Sequence, residues 1–190
     1  MTTRSNLRIV LASASPRRKW LLEEAGYSVR CEVSGAAELE DDSLAPAALA
    51  LENAARKVRV VSARFPQETI LAADTVVAMG GRFYGKPSDL ADAFRMLSEL
   101  SGQTHEVVTG VVIHFPGGSH SHFAESSRVT FHPLAADEIR AYIASIHTLD
   151  KAGAYAAQDD NGRIIRRIEG SVTNVIGLPM ESLKSVMDKT

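Results

Sequence analysis

The feature that most restricts how this chain can fold is the run at residues 69–79, TILAADTVVAM. The run is apolar and β-branched over a length that predicts one buried strand, and Gly80 and Gly81 directly after it predict a hairpin turn. Asp74 interrupts the run, and an ionised carboxylate is costly to bury unless it is paired, hydrogen-bonded or bound to a metal. The pattern leaves two interpretations open: a structural carboxylate that caps the next turn, or a metal ligand or general base at a cleft.

Strand and helix signals alternate along the rest of the chain. Residues 7–12 predict a strand, and Ser15 as a cap with Pro16 at the first helical position predicts a helix directly after it. Within that helix, Trp20 and Leu21 are predicted to face the core. The other predicted elements are helices at 46–62, 89–100, 133–146 and 180–189 and strands at 29–33, 107–115 and 122–131. This alternation, with two hairpins, predicts an α/β fold with a mixed, twisted sheet flanked by helices.

A candidate phosphate site lies between the first strand and the first helix, at residues 13–18, SASPRR. The free N–H groups and partial positive charge of a helix N-terminus favour an anion. Ser13 adds a hydroxyl donor, and Arg17 and Arg18 add planar cationic groups that match phosphate oxygens. A capped surface helix with two solvated arginines is the open alternative.

Three further side chains are candidates for substrate binding. Lys86 stands between Gly85 and Pro87, which fix the backbone that presents it. Lys57 lies late in a predicted helix, where a lone lysine is usually solvated surface. Gln158 carries a donor and an acceptor on one planar group and can recognise the edge of a base, although a glutamine in a loop is usually a surface residue.

Two weaker patterns concern metal ligands. His120 and His122 would share one face of a strand, but no third ligand has matching spacing, so we do not predict a metal site there. The acidic stretch at residues 38–42 is typical of a solvated loop, from which one carboxylate could still reach a metal elsewhere.

Composition limits the classes of partner. The chain has 190 residues and a net charge of −2, which argues against bulk nucleic-acid binding but allows a single nucleotide. The single Cys31 cannot form an intrachain disulfide and favours a reducing compartment. No stretch approaches the roughly 18 apolar residues of a membrane span, and the start of the chain lacks a signal sequence. We therefore expect one cytoplasmic domain over residues 1–190, with no nucleic-acid or membrane partner.

Seven motifs occur in an order and spacing that resemble the Maf family, from residue 8 to about residue 183. Because they are separate motifs that keep their order over nearly the whole chain, the resemblance is specific. The motifs are LASASPRR at 11–18, ADTVV at 73–77, GKP at 85–87, LSG at 100–102 with His105, TGV at 109–111, DKAGAY at 150–155 and NVIGLP at 174–179.

The resemblance implies a Maf-like α/β fold, similar to that of inosine triphosphate pyrophosphatases, with two lobes around a deep cleft. It implies hydrolysis of a nucleoside triphosphate to a monophosphate and pyrophosphate, with Mg²⁺ or Mn²⁺ as cofactor and a homodimer as a possible assembly. Asp74 would be the catalytic residue, and Glu38 and Asp74 would hold the metal. The residues implied to contact the substrate phosphates are Ser13, Arg17, Arg18, Lys57 and Lys86.

The base preference follows from finer features of the same resemblance. Gln158, Arg17 and Thr75 match the branch that is similar to dTTP/UTP pyrophosphatases. That branch usually has Ile-Gln-Gly where this chain has AQDD at residues 157–160, and two added carboxylates could change the pocket. The alternatives are the 7-methyl-GTP pyrophosphatase branch, a phosphatase that removes the γ-phosphate, and a non-enzymatic regulatory protein of cell division.

Overall fold

The computed structural model describes residues 7–189 and is organised around one mixed sheet. Residues 1–6 and 190 lie outside the described residues. The expected single domain over residues 1–190 includes them, and the expected absence of a signal sequence concerns residues 1–6. The strands are β1 (Arg8–Leu11), β2 (Ser28–Cys31), β3 (Ile70–Met79), β4 (Arg82–Phe83), β5 (Thr104–His114), β6 (His120–Phe131) and β7 (Ile165–Glu169). The helices are α1 (Pro16–Glu24), α2 (Pro46–Arg64), α3 (Leu90–Leu100), α4 (Ala136–Ser145), α5 (Val172–Ile176) and α6 (Met180–Met187).

The seven strands are ordered β2-β1-β3-β5-β6-β7, with β4 paired to β3. β1 runs parallel to both β2 and β3, whereas β3, β5, β6 and β7 are antiparallel to their neighbours in turn. The predicted strand at 69–79 is confirmed as β3, which lies inside the sheet, and Gly80 and Gly81 form the predicted hairpin with positive φ angles of 58° and 77°. The expected α/β fold with a mixed sheet flanked by helices is confirmed.

Alternate side chains of the central strands pack against different layers, as the two-residue period of a strand requires. Ile70 and Ala72 face α2. Leu71 and Ala73 face the layer that contains α1 and α6. Further along β3, Val77 joins a separate apolar cluster formed with α3 and α4. The apolar clusters thus divide along the length of β3, and Asp74 projects from the same face of the sheet as Ile70 and Ala72, toward α2.

The prediction that Trp20 faces the core is wrong. Trp20 is 50% exposed, and Leu21 and Leu22 are the buried residues of α1. Each helical residue turns the side-chain direction by about 100°, so a core-facing pair at 21 and 22 leaves residue 20 on the solvent side. None of the helices within residues 7–189 combines the length and apolar character needed to cross a bilayer.

Gly110 of β5 stands directly opposite Asp74 and determines how closely α2 can approach the sheet. A Cβ atom on Gly110 would lie 2.5 Å from the backbone N of Leu51 and 2.6 Å from the carbonyl carbon of Ala50, both in α2. Since these are backbone atoms, the helix itself would have to move. The missing side chain therefore lets α2 lie against the sheet beside Asp74.

We predict that Gly110→Ala lowers the free energy of unfolding by about 1–3 kcal/mol or more, because an overpacked contact forces backbone shifts. Urea unfolding of the purified variant measures this. Gly85→Ala is the matched control, since a Cβ at Gly85 meets open space. A Gly110→Ala protein as stable as the control would show that the contact with α2 is not restrictive.

His105 of β5 is buried in the cluster around α3 and α4, with 2% of its surface exposed. Its Nε2 lies 2.9 Å from the hydroxyl oxygen of Tyr155, and its ring contacts Phe131 edge to face. Burial lowers the pKa of His105 to about 4, because the charged imidazolium would lose its hydration there. The native state therefore keeps this imidazole neutral well into the acidic range.

The lowered pKa of His105 predicts a specific loss of stability in acid. The unfolded chain takes up the proton near the ordinary pKa of 6.5, whereas the native state does so only near 4. The contribution of His105 to the free energy of unfolding is therefore complete above pH 6.5. It falls by up to about 3 kcal/mol as the pH drops toward 4. We expect urea titrations across this range to give a flatter pH dependence for His105→Gln. The exposed-site control His122→Gln should keep the wild-type slope, and equal slopes for all three proteins would contradict the lowered pKa.

Candidate active site

A cleft opens along the edge of β3 between the two strands that pair with that edge. β1 pairs with β3 only as far as Leu71, and β4 joins it only at Ala78. The intervening part of β3 borders a cavity of about 920 Å³. Because side chains alternate along a strand, Asp74 and Thr75 line this cavity from opposite faces of the sheet.

Asp74 is 9% exposed, and both of its carboxylate oxygens accept hydrogen bonds from α2. Lys57 Nζ donates to Oδ1 at 2.6 Å, and Asn53 Nδ2 donates to Oδ2 at 3.2 Å. The same Lys57 ammonium donates to Glu38 Oε1 at 2.7 Å. One buried cation thus bridges two carboxylates and supplies the pairing that an acid inside an apolar strand requires. The expectation that a lone lysine at position 57 is solvated surface is wrong, because these two acids draw it into the cleft.

Asn53 contacts Asp74, and sequence interpretation missed it. Its Oδ1 accepts the backbone N–H of Leu39 at 2.7 Å, and its Nδ2 donates to the carbonyl of Leu39 at 3.1 Å as well as to Asp74. Asn53 therefore holds the segment that carries Glu38 next to Asp74. The available signal was spacing, because Asn53 and Lys57 are four residues apart on α2 and so share one face.

Glu38 lies between two ammonium groups. Burial alone would raise the pKa of Glu38, but the hydrogen bond and charge of Lys57, with smaller contributions from Lys86 and Arg18, bring it below its ordinary value. Lys86 Nζ lies 3.8 Å from Glu38 Oε2, and its side chain is 58% exposed. Glu38 is therefore ionised at neutral pH, and Lys86 is the cation of the pair that remains open to solvent.

Arg18 is held on the Thr75 side of β3 by three acceptors. Its Nε donates to the carbonyl of Gly177 at 2.8 Å, Nη2 donates to Thr75 Oγ1 at 3.0 Å, and Nη1 donates to Ser13 Oγ at 3.4 Å. Burial lowers the pKa of Arg18 and the charge of Asp74 opposes that shift, but a guanidinium stays protonated in either case. The guanidinium is therefore oriented before any ligand binds.

The start of α1 is organised as the sequence predicts. Ser15 caps the helix by accepting a backbone N–H of the first turn at 3.4 Å, and its own N–H donates to Ser13 Oγ at 3.1 Å. Arg17 Nη1 lies 3.7 Å from Asp150 Oδ2, and Lys151 Nζ donates to Asp150 Oδ1 at 2.6 Å. A carboxylate thus pairs with Arg17, as Glu38 does with the two lysines.

The cavity brings together every residue that the sequence analysis proposed for catalysis, substrate binding or metal binding. Four of these predicted residues are cationic side chains from three separate parts of the chain, and two are carboxylates; Lys151, Glu40, Asp42 and Asp150 also line the cavity. The residues that line it from those predictions are Ser13, Arg17, Arg18, Glu38, Lys57, Asp74, Thr75, Lys86 and Gln158. Their shared location is established, and their individual roles stay predictions.

Glu38 and Asp74 are the side chains that the resemblance implies as metal ligands. Among residues 7–189 there is no cluster of three or more His, Cys, Asp or Glu side chains arranged to hold a metal. Glu38 and Asp74 nevertheless offer carboxylate oxygens, and Mg²⁺ is commonly held by one or two carboxylates together with substrate phosphates. The residues present fit an ion whose coordination the substrate completes. Of the two histidines that the sequence places on one face of a strand, His120 contacts a third: its Nε2 lies 3.1 Å from His114 Nδ1.

Three comparisons relate the chain to known proteins. The sequence model of the Maf family, described as Maf-like protein, matches residues 8–190. A dTTP/UTP pyrophosphatase of Akkermansia muciniphila is 40% identical over 180 residues, covering 95% of each chain. One of Geobacter metallireducens is 44% identical over 176 residues, covering 92% of each. Among solved structures, the Ham1 protein of Staphylococcus aureus is similar in fold, with a TM-score of 0.53 at 15% identity over 96% of this chain and 98% of that one.

Proposed function

The chain belongs to the Maf-like family, and from that premise we propose that it is a nucleoside triphosphate pyrophosphatase that prefers dTTP and UTP. The reaction cleaves the bond between the α- and β-phosphates and releases a monophosphate and pyrophosphate. The observation that carries the proposal is the cleft, where Lys57 pairs with both Asp74 and Glu38 and where Arg17, Arg18 and Lys86 line the same cavity. The names of the curated relatives supply the substrate class.

The phosphates are proposed to bind between the start of α1 and the lysines. Arg18 is already oriented by Thr75 and Gly177, so it can meet a phosphate oxygen without losing further side-chain freedom. Lys86 is the most exposed cation and is paired at 3.8 Å, so it can turn to a phosphate easily. Fixed positive charges of this kind neutralise the triphosphate and stabilise the charge that develops on the leaving pyrophosphate.

Glu38 and Asp74 are proposed to hold a divalent ion, Mg²⁺ or Mn²⁺, together with the substrate phosphates. When bound, such an ion neutralises phosphate charge and makes a coordinated water more acidic. Asp74 is proposed to act in one of two roles, as a ligand of that ion or as the base that takes the proton of the attacking water. Lys57 pairs with both carboxylates, because its ammonium donates a hydrogen bond to each of them.

We predict that Asp74→Asn lowers kcat by at least about a hundredfold while the protein stays folded, since an amide can neither take the proton nor bind a divalent ion strongly. Pyrophosphate release from UTP measures turnover, and circular dichroism with thermal unfolding measures the fold. Asp137→Asn is the matched control, because the side chain of Asp137 is 96% exposed on α4. Near-normal turnover in Asp74→Asn would remove Asp74 from the reaction centre.

A panel of triphosphates tests the substrate assignment. With Mg²⁺ or Mn²⁺ present, we expect dTTP and UTP to give the highest kcat/KM and to yield monophosphate and pyrophosphate in equal amounts. Preference for 7-methyl-GTP would place the chain in the other branch of the family. Inorganic phosphate with a diphosphate would indicate a γ-phosphatase, and no turnover of any nucleotide would favour a binding protein. The cytoplasmic location, the single domain over residues 1–190 and the possible homodimer stay predictions from the sequence.

A further inference from the structure

Gln158 lies on a short 3-10 turn, Ala157–Asp159, and lines the cavity. Its side chain has two different ends, since the amide nitrogen only donates hydrogen bonds and the amide oxygen only accepts them. A glutamine that recognises a base can therefore present either end, and which end it presents decides which bases fit. In this chain the neighbouring Asp159 determines the orientation of the Gln158 amide.

The nitrogen of the Gln158 amide is engaged by the neighbouring acid. Nε2 of Gln158 donates to Asp159 Oδ2 at 2.9 Å. An ionised carboxylate can only accept, so the amide end that faces Asp159 has to be the nitrogen, and a flipped amide would place two oxygens against each other. The opposite atom, Gln158 Oε1, is buried and has no hydrogen-bond partner within residues 7–189. A buried acceptor without a donor is unfavourable until a donor arrives.

The second added carboxylate, Asp160, has a different task. It is buried, with 3% of its surface exposed, and its oxygens accept the backbone N–H groups of Ile164 at 3.1 Å and Ile165 at 3.0 Å. Asp160 thus shapes the turn that leads into β7. Of the two acids that separate this chain from the usual Ile-Gln-Gly pattern, Asp159 is the one that contacts Gln158.

We propose that Asp159 is a specificity-determining residue, which holds the Gln158 amide so that its oxygen accepts a hydrogen bond from an N–H group of the substrate base. Uracil and thymine carry such a donor at N3, whereas cytosine carries an unprotonated acceptor at the same position. A cytosine base would set its acceptor against the Gln158 oxygen and leave both unpaired, which a binding site discriminates strongly. This inference rests on the proposed pyrophosphatase function and deepens it.

Replacement of Asp159 tests the orienting role. In Asp159→Asn the new amide can donate or accept, and in Asp159→Ala the contact is absent, so in both variants the Gln158 amide can rotate and offer its nitrogen to cytosine. We expect the ratio of kcat/KM for UTP over CTP to fall by roughly tenfold in both variants. A merely structural defect would lower both activities together and leave the ratio unchanged. Asp137→Asn, a remote and exposed substitution of the same type, should keep the wild-type ratio.

A modified substrate tests the hydrogen bond without any mutation. 3-Methyl-UTP lacks the N3 donor, and we expect the wild-type protein to hydrolyse it with a kcat/KM at least roughly tenfold below that for UTP. Equal turnover of the two would overturn the proposal, because Oε1 would then accept from another part of the nucleotide, such as a ribose hydroxyl. An unchanged UTP to CTP ratio in both Asp159 variants would also overturn it. In either of these cases UTP hydrolysis by the wild-type protein preserves the proposed function, whereas no release of pyrophosphate from any triphosphate rejects both.

Discussion

The contact on which the site depends is the buried bridge from Lys57 to Asp74 and Glu38. Asp74 occupies the middle of an apolar strand, where an unpaired charge would be prohibitively unfavourable. Its partner comes from α2, and α2 can lie close enough only because Gly110, across the sheet from Asp74, has no side chain. The close packing of α2 on the sheet is therefore required for the pairing of Lys57 with Asp74.

The free protein balances its own charges in the cleft. Glu38 lies between Lys57 and Lys86, and Asp150 lies between Arg17 and Lys151. Each carboxylate pairs with two cations, which offsets the repulsion between those cations and keeps them near one another. A bound triphosphate would share or replace these acidic partners. Glu38 and Asp150 thus help to position the cations that could bind a polyanion.

Sequence reasoning succeeded where the signal is local and failed where it depends on distant partners. The strand around Asp74, the glycine hairpin and the Ser15 cap follow from neighbouring residues, and all are present. The orientation of Trp20 and the burial of Lys57 depend on which parts of the chain fold against them, so local pattern gave the wrong answer for both. Asn53 was missed for the same reason, because its bonds to Leu39 and Asp74 join residues 14 and 21 positions away. The substrate-binding role predicted for Lys57 came from the family resemblance that the ordered motifs carry, and not from the local pattern around Lys57.

The uncovered edge of β3 has a consequence for substitutions in the cleft. Along this edge adjacent residues project to opposite sides, so Asp74 belongs to a network with α2, whereas Thr75 belongs to one with Arg18 and Thr109. The two networks share a backbone but few side-chain contacts. A substitution at Thr75 would therefore alter the contact with Arg18 without removing the hydrogen bonds that Lys57 and Asn53 donate to Asp74. One strand edge thus places two separate side-chain networks on opposite faces of the sheet within one residue step.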